Sequence, residues 1–213
     1  MFKCRASSGS RVRSFPGPGN RKWLLPRGGY RGGGIVKTYV DPFDYASEIA
    51  KAVGRGVLLT TRNGPTVDSM TIGWGALGIE WGEKVFIAFV REGRFTREQI
   101  DATGEFTVNV PLGDFDRRIT AYCGSRSGRD TDKASDLGLT LVEPDEVSAP
   151  GIRELPLTLE CRVLYRQKQD REAIPEDIRR AMYPEDVDSS CPMANRDYHV
   201  AYYAKIVKSY IIQ

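Results

Sequence analysis

The hydrophobic pattern is sharpest between residues 56 and 96, GVLLTTRNGPTVDSMTIGWGALGIEWGEKVFIAFVREGRFT. Gly56–Thr61 is a short apolar, β-branched run with the composition of a strand. Arg62-Asn63-Gly64-Pro65 interrupts it, and Asn-Gly is a strong hairpin signal. Val67–Trp74 resumes extended structure. Lys84–Val90 is almost continuously apolar, as in a strand buried on both faces. Beyond Arg91-Glu92-Gly93-Arg94-Phe95, Thr96 and Gln99 have the spacing of a capping box. A helix is therefore predicted from Thr96 to Thr103, with Gly104 ending it.

The flanking segments read in the same way. Asp41-Pro42 opens a helix with Asp as cap and Pro at the first position; Tyr45, Ile49 and Val53 recur at helical spacing and Gly54 closes it. Phe106–Val110 is a strand stopped by Pro111. Asp114–Cys123 is helical, with Gly124 as its cap. Leu139–Val142 is a short strand, and Glu143–Gly151 a Pro-bounded turn. Leu157, Leu159, Cys161, Val163 and Tyr165 alternate with Thr158, Glu160, Arg162 and Leu164, the signature of a half-buried antiparallel strand. Ile174-Pro175 begins a charged helix ending near Tyr183-Pro184. A long irregular loop follows over 185–197, then a last strand over Tyr198–Tyr210. Roughly seven strands with four short helices cannot alternate as βαβ units. The pattern predicts a mainly β chain: an antiparallel barrel, closed or nearly so, with helices plugging its ends.

Charge divides the chain. Its 213 residues carry a formal net charge of +3. Residues 1–34 contain eight Lys or Arg and no acid, which leaves 23 basic and 28 acidic residues in 35–213, a net of −5. The main body is thus mildly acidic, against a nucleic-acid-binding body. The first 34 residues are rich in Gly, Arg, Ser and Pro, cannot bury a core, and are expected to be disordered or loosely draped. A passive leader is the plain reading; an RNA-binding arm or a basic targeting leader are its alternatives. No strand precedes their glycines, so these form no nucleotide-binding fingerprint. The expected organisation is an extension over 1–34 and one domain over 35–213. No apolar run approaches the ~20 residues of a membrane helix. Cys4, Cys123, Cys161 and Cys191 are scattered without a Cys-x-x-Cys pair, which suits neither a zinc site nor a disulfide framework and fits a reducing cytoplasm. With His199 the one histidine, a multi-histidine metal site is excluded.

The candidate chemistry is binding rather than hydrolysis. Gly124-Ser125-Arg126-Ser127-Gly128 has Arg where a nucleophile elbow needs Ser. Cys123 with His199 would make a thiolate pair, but a helix C-terminus disfavours a thiolate. By contrast, Arg91, Arg94 and the Thr96 hydroxyl gather at a helix N-terminus, a natural phosphate cradle. Ser69-Met70-Thr71 is extended and precedes Gly73 and Gly75, where backbone can approach a flat ligand. Trp74 and Trp81 could flank an aromatic ring, or be core. The Ser125–Lys133 stretch adds hydroxyls, amides and cations. Together these suit a planar heterocycle carrying a phosphate, of which FMN is one.

Ser69-Met70-Thr71-Ile72-Gly73-Trp74-Gly75 resembles the Asn/Ser-x-Met-Thr-x-x-Trp-Gly pattern of the flavin reductase-like, FMN-binding split-barrel family. Gly78-Ile79-Glu80-Trp81, Phe89-Val90-Arg91, Arg94-Phe95-Thr96, Phe106-Thr107-Val108-Asn109 and Cys123-Gly124 through Ser127 to Lys133 follow in the family's order. The resemblance covers about 36–213 and is nearest the flavoredoxin-like branch. It implies a six-stranded antiparallel Greek-key split barrel, a homodimer, and one FMN per subunit. It would place Arg91, Arg94, Thr96, Lys133 and Ser127 on the phosphate. Ser69, Met70 and Thr71 would line the isoalloxazine, with Trp74 and Cys123 near the ring. Val90, Phe95 and Gly124 belong to the same motifs. His199 would stand at the open face where a nicotinamide stacks; here Arg196-Asp197-Tyr198-His199 departs from the family's Gly-Asp-His. The implied activity is electron transfer from NAD(P)H through FMN to free flavin or another acceptor. The alternative is an electron carrier reduced by a partner protein.

Overall fold

Asp41-Pro42 starts a helical segment as its residues predict. In the structure, a computed structural model that describes residues 34–184 and 197–213, a short strand β1 (Lys37–Tyr39) leads to it. The Asp41 carboxylate accepts from the Phe43 N–H, and a 3-10 turn (Pro42–Tyr45) runs into α1 (Ala46–Val53), which buries Ile49 and Val53. Gly54 keeps a right-handed φ of −63°; Gly56 is the residue with positive φ, at 103°.

Two hairpins carry residues 57–91. β2 (Val57–Asn63) turns at Gly64, φ 57°, into β3 (Thr66–Ile72). β4 (Gly75–Glu80) and β5 (Glu83–Arg91) follow. Their turn, Trp81 and Gly82 at φ 51° and 76°, has the type I′ pattern. The extended run read as Val67–Trp74 therefore ends at Ile72, and β4 is a strand the periodicity did not predict. Two glycines in its six residues remove the β-branched signal. Trp74 and Trp81 stand at opposite ends of β4, about 20 Å apart at strand rise, and do not flank a common ring.

The helices that follow are capped differently from their sequence signals. α2 (Phe95–Thr103) has Arg94 at its N-cap, and the Thr96–Gln99 capping box does not form. The Thr96 hydroxyl donates to buried Asp68 instead, and Gln99 accepts from Thr61. Gly104, φ 70°, ends the helix as expected. After β6 (Glu105–Val110), α3 (Arg117–Ser125) is capped by Asp116. Gly124 lies inside its last turn, not beyond it. A Cβ there would sit 3.4 Å from the Thr71 Cβ, so this glycine lets α3 lie close on β3. α4 (Lys133–Leu137), to which the sequence reading assigned no element, is capped by the Asp132 carboxylate on the Ser135 N–H.

The remaining strands are β7 (Leu141–Val142) and β8 (Gly151–Ile152), paired only with each other, then β9 (Leu157–Lys168) and, after α5 (Glu176–Met182), β10 (His199–Ile212). The main sheet is antiparallel in the order β3-β2-β6-β9-β10-β5-β4, with β1 added beside β10. Its eight strands are six of the roughly seven that the pattern predicts, plus β1 and β4; the seventh, Leu139–Val142, falls in the small β7–β8 pair, and the count exceeds the six that the resemblance implies. One core takes Met70 and Ile72 from one edge, Phe86, Ala88 and Val90 from β5 beside the other, and Leu77 of β4 against them. The sheet thus curls around a single core while no ladder joins β3 to β4: a mainly β, split barrel with short helices at its flanks.

β9 is buried on both faces over Leu157–Cys161, not on one. The outer face of β9 and its neighbour β6 carries a polar row that holds the 143–156 segment against the sheet. Asn109 accepts from the Ile152 N–H at 2.9 Å, Thr107 donates to the Pro150 carbonyl at 2.7 Å, and Glu160 accepts from the Asp145 and Glu146 N–H groups. At the other end a register shift beside Tyr203 and Ala204 takes Leu164 and Tyr165 to the surface. Among the described residues no helix is long and apolar enough to cross a membrane. The expectations for the basic arm, save Gly34, and for the loop at 185–196 lie outside the described residues.

Candidate functional site

A helix start leaves unpaired N–H groups and a partial positive charge. Because β5 ends at Arg91 and α2 begins at Phe95, that start has Arg94 at its cap and Arg91 three residues before it. Beside it is a cavity of about 140 Å³, lined by Arg94, Thr96, Ser127, Gly128, Lys133 and Asp68 among others. Arg91 is held by Asp197, Nε to Oδ1 at 2.8 Å, and the other Asp197 oxygen accepts from the Gly93 N–H at 2.6 Å. Burial pushes the Asp197 carboxyl up, but the Gly93 N–H and the Arg91 charge outweigh it and keep it below the usual carboxylate value. Arg94 has no such partner: its guanidinium makes no hydrogen bond or ion pair among the described residues. Burial and the neighbouring Arg91 charge both depress its pKa, against weaker support from Asp197 and Asp68. A half-buried cation lacking a counter-ion at a helix start could hold an anion.

Asp68 is the organising residue of this cavity and the one sequence reasoning missed. It is 3% exposed. Lys133 Nζ lies 2.9 Å from its Oδ1 in an ion pair that departs from hydrogen-bond geometry, and donates instead to the Ser69 carbonyl at 2.7 Å. With Thr96 on the other oxygen, Asp68 joins β3, α2 and α4. Gly128 passes directly over it: a Cβ would collide with the Asp68 carboxylate and lie 2.9 Å from the Phe95 ring. The clue was an acid in the middle of an otherwise buried strand pattern, where Asp is disfavoured. Lys133 and Thr96 therefore serve Asp68 as well as the cavity, Arg126 on the cavity rim lies over the Tyr122 ring, and Arg94 is left without a hydrogen-bond or ion-pair partner of its own.

The other predicted residues divide between the cavity rim and the core. Ser127 Oγ accepts from the Arg129 N–H at 3.2 Å, and the Arg129 guanidinium lies over the Phe95 ring at 5.3 Å. β3 is a sheet edge, so its backbone groups facing away from β2 have no strand partner. The Ser69 side chain turns to Thr60, at 2.9 Å; Met70 enters the core; Thr71 donates to the Thr120 carbonyl at 2.6 Å and so fixes α3. Val90 is in the core, paired with Val200. Cys123 is buried against Leu58, Ile119, Ile152 and Leu155, and burial pushes its thiol up to about 11, which favours the protonated thiol over a thiolate.

A second cluster surrounds His199. Trp74 lies against its ring at 4.5 Å, the planes tilted by 36°, and the Tyr183 hydroxyl lies 2.9 Å from Nδ1. Tyr183 stacks on Tyr198 at 4.3 Å and also reaches Gln169. Burial, then the Arg91 charge, lowers the imidazole pKa to about 4, so the ring is neutral at pH 7. His199 pairs with Arg91 across β10 and β5, which ties this cluster to the cavity beside Arg94 through one strand register. Tyr183 and Gln169 gave no sequence signal, because they meet His199 only through tertiary contacts.

Comparison with known proteins agrees with this architecture. Residues 51–202 match the family model described as the flavin reductase like domain. An uncharacterized protein from Archaeoglobus fulgidus is 33% identical over 95 residues, 45% of this chain and 52% of that protein, so the match spans about half the relative's length. The flavoredoxin of Desulfovibrio vulgaris (Miyazaki F) shares the fold at TM-score 0.54 and 20% identity, over 73% of this chain and 68% of that one. A flavoredoxin from Methanosarcina acetivorans does so at 0.53 and 23%, over 73% and 67%. An FMN-binding domain of a flavin reductases-like enzyme from Shewanella baltica OS155 aligns at 0.55 and 17%, over 85% and 79%. The matched region runs from α1 into β10 and holds the arginines, Asp68, Lys133 and His199, and the chain belongs to the flavin reductase-like domain family.

Proposed function

We propose that this protein is an FMN-binding flavoprotein oxidoreductase that takes electrons from NAD(P)H and passes them to free flavin or another acceptor. Arg94 carries the reading: a half-buried guanidinium without a counter-ion, at a helix start and beside a small cavity, suits a phosphate monoester. FMN, when bound, would supply the hydride-accepting chemistry. Arg94 and Ser127 would hold its phosphate, with Thr96 and Lys133 shared with Asp68 and Arg91 behind them. The outward backbone of Ser69–Thr71 would face the ring's polar edge, and Trp74 its surroundings. Met70 and Val90 would shape the floor from the core, Phe95 and Gly124 would set the approach of α2 and α3, and Cys123 would stay a protonated, packing thiol. His199, neutral and beside Trp74, would position the nicotinamide rather than protonate it. In this reading two copies of the chain pair, which light scattering tests.

The test is steady-state oxidation of NADH and NADPH by the FMN-loaded protein with free flavin as acceptor. Turnover with either supports the proposal. The fold likeness to two flavoredoxins favours a second reading, an FMN electron carrier reduced by a partner protein. Bound FMN with no turnover on either nucleotide selects it.

A further inference from the structure

The proton positions around His199 follow from its hydrogen bonds alone. Its backbone N–H donates to Gln169 Oε1 at 3.2 Å, which identifies that atom as the amide oxygen. The Tyr183 hydroxyl lies 2.8 Å from the same oxygen. An amide oxygen has no proton to give, so Tyr183 donates to it. A hydroxyl has only one proton. At its other contact, 2.9 Å from His199 Nδ1, Tyr183 must therefore accept, and Nδ1 must carry the hydrogen. The neutral ring then has its lone pair on Nε2. Nε2 makes no hydrogen bond among the described residues and is not sealed from solvent. Trp74 on the ring face and Tyr198 behind Tyr183 hold the arrangement in place.

We propose that Gln169 and Tyr183 are positioning residues that hold His199 in its Nδ1–H form, making Nε2 the hydrogen-bond acceptor for the carboxamide N–H of the nicotinamide donor. The identity of that ligand rests on the function proposed above; the tautomer does not. A ring protonated at Nε2 would offer a donor in the same place and would face the carboxamide N–H with another N–H. The charged neighbours, Arg91 and Asp197, are already paired with each other. Burial and Arg91 keep the ring neutral across the range in which such an acceptor would work.

The chain has a single histidine, so a long-range ¹H–¹⁵N correlation spectrum of the full-length labelled protein reads its tautomer without ambiguity. The expected result is a protonated Nδ1 and an unprotonated Nε2. Gln169→Leu frees the Tyr183 proton for Nδ1 and should convert the ring to the Nε2–H form. Gln169→Glu keeps both acceptor contacts and should retain Nδ1–H. With FMN bound, Gln169→Leu should raise the nicotinamide KM about 2- to 10-fold, the worth of one neutral hydrogen bond, and Gln169→Glu should not. The dispersion of the same spectra shows that each variant is folded. An Nε2–H ring in the parent protein, or an unchanged ring in Gln169→Leu, overturns the tautomer assignment. An inverted ring with an unchanged KM overturns the acceptor role. A parent protein that oxidises neither nucleotide removes the nicotinamide as ligand, while the ring spectrum still decides the tautomer.

Discussion

Replacing Arg94 with alanine separates the phosphate from the rest of the flavin. The side chain makes no hydrogen bond or ion pair to the described protein, and its charge is disfavoured by burial and by Arg91. Its removal therefore breaks nothing in the unliganded protein and relieves one like-charge contact. The urea midpoint should stay level or rise. What is lost is a charge-assisted bond to the ligand phosphate, about 1.5–3 kcal/mol, or about 10- to 150-fold in affinity. Riboflavin has the same ring and no phosphate, so its affinity should not change. Fluorescence titration of the apo-protein with FMN and with riboflavin measures both. An unchanged FMN affinity would refute the phosphate assignment. An equal loss for the two ligands would move Arg94 from the phosphate to the ring.

Lys133→Met should be far more damaging, because it leaves the buried Asp68 carboxylate with only the Thr96 hydroxyl. Breaking such a pair costs about 3–5 kcal/mol, and adding Asp68→Asn should recover part of it; a loss below about 1 kcal/mol by urea unfolding would contradict the buried pair. Gly128→Ala should destabilise by about 1–3 kcal/mol and weaken FMN, since the new methyl meets an Asp68 carboxylate fixed from two sides; parental Tm and affinity would refute the close approach. His199 takes up its proton near pH 4 when folded and near 6.5 when unfolded, so the unfolded chain binds more protons between these values. Stability should fall as pH drops from 6.5 to 4, by at most about 3 kcal/mol. His199→Gln should lack that part of the slope, and identical slopes would show that the ring is not held neutral.

Local chemistry was legible in the sequence and long-range chemistry was not. Asn63-Gly64, Asp41-Pro42 and Gly104 act on backbone within a few residues of themselves, and each performs as its residue type predicts. Thr96 and Gln99 had the right spacing for a capping box, but Asp68 and Thr61, 28 and 38 residues away, compete for the same groups and prevail. β4 was invisible because Gly75 and Gly78 dilute its pattern; Gly75 is needed where a Cβ would sit 2.8 Å from the Phe86 ring. The second buried face of β9 was invisible because the 143–156 segment covers it. In the site, the arginines could be found because a helix start is readable from sequence. The links from Gln169 and Tyr183 to His199, across 30 and 16 residues, could not.

The most direct test of the account is an absorption spectrum of the purified protein, reconstituted with FMN if colourless, before and after anaerobic addition of NADH and then NADPH. Visible flavin bands that bleach with one or both nucleotides are expected. A protein that arrives colourless and takes up no added FMN would contradict the cofactor assignment and leave only the barrel.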